Sequence, residues 1–127
     1  MREKNCVIKR YCFAKLASAA DKDGSSYTDD CRSNGLYGLF LWIQYRDHDD
    51  GYARFLFFDE NKRVSSITTS DGKMRANKNM IDVETKHSEY NFTIDDQDRI
   101  PQQDREQLLA QAQAYLSTFE KEEEKPI

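Results

Sequence analysis

Hydrophobic and polar residues alternate along much of the chain before residue 95, a pattern typical of β-strands that bury one face. The block at 36–45 is the most hydrophobic. Because both of its alternating faces are apolar, it predicts a strand that is covered, at least in part, on both sides. Residues 46–51 end in Asp-Gly, which favours a hairpin turn, and residues 52–58 predict the returning strand. Four further segments alternate in the same way and predict strands: 6–13, 64–69, 80–85 and 90–94.

Three segments between these strands have other patterns. Residues 14–20 are rich in alanine and predict the start of a short helix of two turns. Residues 21–35 contain two glycines and several Asp and Ser residues, so they predict a loop. Residues 73–80 contain basic residues and no acidic one, and their pattern leaves a loop and a short helix as alternatives.

The C-terminal part of the chain has the clearest helical pattern. Pro101 favours a first helical turn. Apolar residues recur after it at the spacing of one helix face: Leu108, Leu109, Ala112, Tyr115, Leu116 and Phe119. Together the elements predict an α+β fold, an antiparallel β-meander of about five or six strands with the C-terminal amphipathic helix packed on one face. We expect a single domain over 1–119 and a charged, frayed tail over 120–127.

Composition limits the classes of protein to which the chain can belong. Its 127 residues are the length of one domain, and no apolar run approaches the roughly 18 residues of a membrane-spanning helix. The formal net charge of −4 is not that of a dedicated nucleic-acid-binding module, which is usually strongly basic. Lys9 and Arg10 end a short apolar run near the N-terminus, so no secretory signal is predicted and we expect a cytoplasmic protein.

The three cysteines, Cys6, Cys12 and Cys31, form an odd set that is a poor basis for a disulfide framework, so we expect reduced thiols. Cys6 and Cys12 are an even number of positions apart, and a regular strand would therefore place both on the same face. The sequence contains no CxxC pair, and its two histidines are far apart. Neither a metal site nor a cofactor is expected.

The most distinctive polar cluster is Asp47-His48-Asp49-Asp50-Gly51. Carboxylates beside an imidazole suit a divalent cation, but an EF-hand loop has a glutamate at its twelfth position, where this sequence has Phe58. A hairpin turn explains the same residues. The common nucleotide-binding, hydrolase and metalloprotease motifs do not occur, which disfavours an enzyme without excluding one.

The net negative charge is concentrated around the C-terminal helix. Residues 95–127 contain nine acidic and four basic residues, whereas residues 1–94 contain 14 acidic and 15 basic ones. A one-sided acidic patch attracts basic partners and accelerates their association. Tyrosine is enriched in protein interfaces, and several tyrosines here are expected on the solvent side of the sheet. These features favour a small, acidic, non-catalytic protein that occludes a partner, such as an immunity or inhibitor protein.

This hypothesis assigns the interface to residues of the hairpin turn and of the segment before the helix: Asp47, Asp49, Asp50, Asp95, Asp96, Asp98, Tyr45 and Tyr52. The expected partner is a basic protein, a toxin or a nuclease-like enzyme, and neither a membrane nor nucleic acid is expected. A homodimer is also compatible with an exposed edge strand. The alternative hypothesis is a ligand-binding or enzymatic α+β domain, with a pocket between helix and sheet whose polar lining includes His48, His87, tyrosine and Arg54.

Overall fold

A computed structural model describes residues 6–21, 37–46, 48–59, 61–95 and 99–123, with side chains described except for Asp21 and residues 114–123. These ranges form seven strands and one helix. In chain order they are β1 (Cys6–Asp21), β2 (Tyr37–Tyr45), β3 (Gly51–Phe58), β4 (Val64–Thr68), β5 (Gly72–Asn77), β6 (Met80–Thr85), β7 (Ser88–Ile94) and α1 (Gln102–Glu123). The six predicted strands and the C-terminal helix are confirmed, although their bounds differ from those predicted.

The strands form one antiparallel sheet in the order β2-β1-β7-β6-β5-β3-β4, and an additional β2–β3 pairing closes six of them into a barrel. Strand β4 is the seventh and pairs with β3. The α+β class is as predicted, but the open meander is wrong. The reason is the length of β1, which pairs with β2 through Cys6–Lys15 and with β7 through Ala14–Asp21, so that the two ends of the sheet meet.

The ring is completed by the β2–β3 pairing together with a contact between β3 and β5 at one residue pair, Gly51 and Gly72. A Cβ atom on Gly51 would overlap the carbonyl oxygen of Ile43, and one on Gly72 would overlap the carbonyl oxygen of Glu84. Both positions therefore require glycine, because the backbones of the neighbouring strands leave no room for a side chain.

Residues 14–20 continue strand β1 and do not begin the predicted helix. In the strand they pair with β7 and bury Leu16 and Ala19, which are 1% and 2% exposed. A helix of two turns would be marginal by itself. Tertiary pairing therefore overrides the local preference for helix.

Residues 73–77 form most of β5, so neither the loop nor the short helix predicted for 73–80 is correct. Lys73 and Arg75 lie opposite Glu84 and Asp82 of β6. Opposite charges facing each other across a strand pair stabilise the pairing. Residues 73–80 contain no acidic residue because the carboxylates that complement Lys73 and Arg75 lie further along the sequence, in β6.

The barrel interior is filled by large aromatic side chains. Phe40, Trp42, Phe55 and Phe92 are buried there together with aliphatic residues of β1 and β6. The ring of Phe92 has its centroid 4.8 Å from that of Phe40 and 5.3 Å from that of Phe55. The interior is thus a packed core, as is usual for barrels of few strands.

A second core lies outside the barrel, between helix α1 and the strands β1, β2 and β3. Leu108 and Ala112 of the helix are fully buried against residues that include Leu39, Leu41 and Ile43 of β2. Strand β2 therefore buries its odd-numbered residues under the helix and its even-numbered ones inside the barrel. This confirms the prediction of a strand covered on both faces.

At Lys9, the alternation of side chains between the two faces of strand β1 is interrupted. The pairing with β2 shifts between Ile8 and Arg10, which is the signature of a β-bulge with one extra residue. As a result Cys6 belongs to the core under the helix, whereas Cys12 belongs to the interior of the barrel. The prediction that these two cysteines share a face is wrong, because the bulge inverts the alternation between them. Both are free thiols.

Two other predictions concern residues that lie outside the described ranges. The predicted loop at 21–35 lies outside the described residues except for Asp21, which ends β1, and Cys31 lies outside them as well. Within the described ranges, no helix combines the length and apolar character that crossing a membrane requires.

Candidate functional site

The hairpin between β2 and β3 is the structural centre of the predicted site. The amide of Tyr45 donates to the carbonyl of Asp50 at 2.9 Å, and the amide of His48 donates to the carbonyl of Tyr45 at 3.2 Å. Gln44 connects this turn to the barrel interior: its Oε1 accepts the indole N–H of Trp42 at 3.0 Å, and its Nε2 donates to the carbonyl of His48 at 2.8 Å. The predicted turn is confirmed, and side-chain bonds hold it.

Two contacts join this hairpin to the beginning of β5. The hydroxyl of Tyr45 donates to Asp71 Oδ1 at 2.6 Å, and Lys73 Nζ lies 2.7 Å from Asp50 Oδ1. We call the set Tyr45, Asp49, Asp50, Asp71 and Lys73 the hairpin surface. All of them except the half-buried Tyr45 are exposed. The hairpin surface thus combines carboxylates with a tyrosine ring in a fixed arrangement.

The ion pair sets the protonation of its two members. A hydrogen bond from Lys73, followed by its positive charge, lowers the pKa of Asp50 below the ordinary value of 3.8. In return, the hydrogen bond and charge of Asp50, with a smaller contribution from Asp49, raise the pKa of Lys73 above 10.5. Both groups are therefore charged at neutral pH. Arg46 is exposed in the same turn, so the described carboxylates exceed the described cations there only slightly.

The two predicted tyrosines have different environments. The ring centroids of Tyr45 and Tyr52 are 6.2 Å apart at an interplanar angle of 49°. Tyr52 is 6% exposed and belongs to the core under the helix, whereas Tyr45 packs at the margin of that core. The buried ring of Tyr52 therefore packs against the ring of Tyr45 on its core side. Contact of either ring with a partner stays a prediction.

Asp95 caps the turn that leads into helix α1. Its carboxylate accepts the amide of Arg99 at 3.0 and 3.1 Å and the amide of Ile100 at 3.3 Å. Its own amide donates to the carbonyl of Phe13. Sequence reasoning identified only the charge of this residue. Its hydrogen bonds give it a structural task that a charged surface residue would not have.

The hairpin surface and Asp95 lie at opposite ends of strand β2. Asp95 is bonded to Phe13, which pairs with Leu39, whereas Tyr45 is six residues further along the strand. At the rise of an extended strand this separation is roughly 20 Å. The other predicted acidic residues, Asp47, Asp96 and Asp98, lie outside the described residues.

The residues of the pocket hypothesis lie on three separate elements. His48 is exposed in the hairpin turn, and His87 is exposed in the turn before β7. Arg54, in β3, donates from Nη1 to the hydroxyl of Thr68 at 3.0 Å. Among the described residues there is no group of three or more His, Cys, Asp or Glu side chains placed to hold a metal ion.

Two members of the hairpin surface, Asp71 and Lys73, were not predicted. Each belongs to a turn or strand more than 20 residues from its partner, since Tyr45 and Asp71 are separated by 26 positions and Asp50 and Lys73 by 23. The only local signal that Lys73 could pair with a distant carboxylate was the group of cations at 73–80, because that segment contains no acidic residue. No protein-family model matches the chain, and neither does any curated protein or solved structure.

Proposed function

We propose that the protein is a non-catalytic binding protein that occludes a basic partner, and that it acts as an immunity or inhibitor protein against a toxin or a nucleic-acid-acting enzyme. The observation that carries this proposal is the hairpin surface. It presents Asp49, Asp50 and Asp71 together with Tyr45 at the end of a closed barrel. Carboxylates in this position substitute for the phosphates to which such an enzyme would bind.

Pre-organisation supports the same conclusion. Tyr45 is fixed by its bond to Asp71 and by the ring of Tyr52, and Asp50 is fixed by Lys73. Side chains that are ordered before binding lose less conformational entropy when a partner docks. Tyrosine is also among the residues that are enriched in protein interfaces. The hairpin surface therefore has the rigidity that an inhibitor requires.

The charge of the whole chain supports attraction of a basic partner. The formal net charge is −4, and the excess of acidic residues lies in the segment from residue 95 onward. A standard interface buries about 800 Å² on each partner. Such an area is wide enough to include both the hairpin surface and Asp95, about 20 Å away along β2. The long-range field would accelerate association, and the hairpin surface would supply the close contacts.

The interface between helix and sheet favours binding at the surface over a pocket at this place. Leu108 and Ala112 are fully buried there, and Leu109 packs beside them. Their contacts with β1, β2 and β3 occupy the described part of the space that a ligand would need. The binding interpretation requires no such space.

Affinity capture from a lysate of the source organism tests the proposal. The tagged protein is used as bait at low and at moderate salt, and mass spectrometry identifies what it retains. We expect one basic protein in near-equal amount, with less recovered as salt rises because surface charges are then screened. Recovery of no protein, or of the bait alone, would contradict the proposal.

A further inference from the structure

We draw no further inference here: the strongest candidate, the outer edge of strand β4, whose uncharged residues Val64–Thr68 pair only with β3 in the part of the chain that the structure describes, carries nothing because nothing in the structure shows what covers it.

Discussion

Lys73 Nζ lies 2.7 Å from Asp50 Oδ1, and this ion pair joins the start of β5 to the β2–β3 hairpin across 23 positions of sequence. The pair lies beside the glycine contact at which the barrel closes, since Gly51 follows Asp50 and Gly72 precedes Lys73. Closure of the barrel and construction of the hairpin surface are therefore one structural event. The same backbone approach that completes the ring brings the acidic turn and its cation together.

Removal of the cation should be visible in the titration of Asp50. Because Lys73 lowers the pKa of Asp50, Lys73→Gln should raise that pKa toward 3.8, as measured by NMR of the carboxyl carbon. The stabilisation from the pair is present above the ordinary Asp value of 3.8 and is lost as pH falls through the lowered folded value. On the lysine side it is present below 10.5 and is lost as pH rises through the raised value.

The control for this titration is salt. Both side chains are exposed, so their attraction should be screened and the pKa of Asp50 should approach 3.8 in concentrated salt. Arg75→Gln, on the exposed face of the same strand, should leave the titration unchanged. If Asp50 titrated identically in the wild type and Lys73→Gln, the ion pair would not form in solution.

The close packing of β5 against β6 should depend on glycine at position 72. A Cβ atom on Gly72 would overlap the carbonyl oxygen of Glu84, and backbone atoms cannot move aside as a flexible side chain can. Gly72→Ala should therefore lower the free energy of unfolding by about 1–3 kcal/mol, measured by urea denaturation. Ser66→Ala, at an exposed position of β4, is the control and should change it by less than about 0.5 kcal/mol. Similar values for the two variants would argue against the close approach of the β6 backbone to Gly72.

Asp95 should show two separable roles. Asp95→Ala removes the acceptor for the amides of Arg99 and Ile100 and should lower the free energy of unfolding by about 1–2 kcal/mol. Asp95→Asn removes the charge but keeps an acceptor, so its stability should stay near that of the wild type. Only the asparagine variant therefore tests whether the charge matters for partner binding. Equal loss of stability in both would show that the carboxylate charge, and not the capping geometry, stabilises this turn.

The two described cysteines should differ in reactivity. Cys6 is fully buried, whereas Cys12 is partly buried and its pKa is raised above 9.0 by burial, which the hydrogen bond and charge of Arg10 oppose in part. Site-resolved alkylation of the native protein should label Cys12 slowly near neutral pH and leave Cys6 unlabelled. Arg10→Gln should shift the labelling of Cys12 to higher pH. Faster labelling of Cys6 than of Cys12, or a shift to lower pH in the variant, would contradict these environments.

Periodicity was enough to predict most strands and the helix, because burial of one or both faces dictates where apolar residues stand. The two faces of β2 were evident from its sequence, and the turn after Tyr45 was evident from its Asp-Gly ending. Long-range pairing was not encoded in this way. The sequence of residues 14–20 contains no signal of their pairing with β7. Considered alone, its alanine content favours a helix.

The candidate site was predictable in part for a related reason. The acidic turn was found from composition, but Asp71 and Lys73 join it only through closure of the barrel. A single inserted residue also had large consequences. The bulge at Lys9 moved Cys12 to a different core from Cys6 and turned Arg10 toward the interior. Alternation arguments assume a regular strand and fail where one extra residue interrupts it.

The most direct test of the account is capture of the partner by charge-reversed variants of the hairpin surface. The double variant Asp49→Lys with Asp50→Lys should lose most of the partner retained by the wild type, because it reverses charge where the partner's cations would dock. Glu89→Lys, on an exposed position of β7, is the control for reversal elsewhere, and a second such change at Glu106 matches the total charge. At low salt the double variant should associate roughly tenfold more slowly or worse. Equal retention by all three proteins would contradict the assignment of this surface.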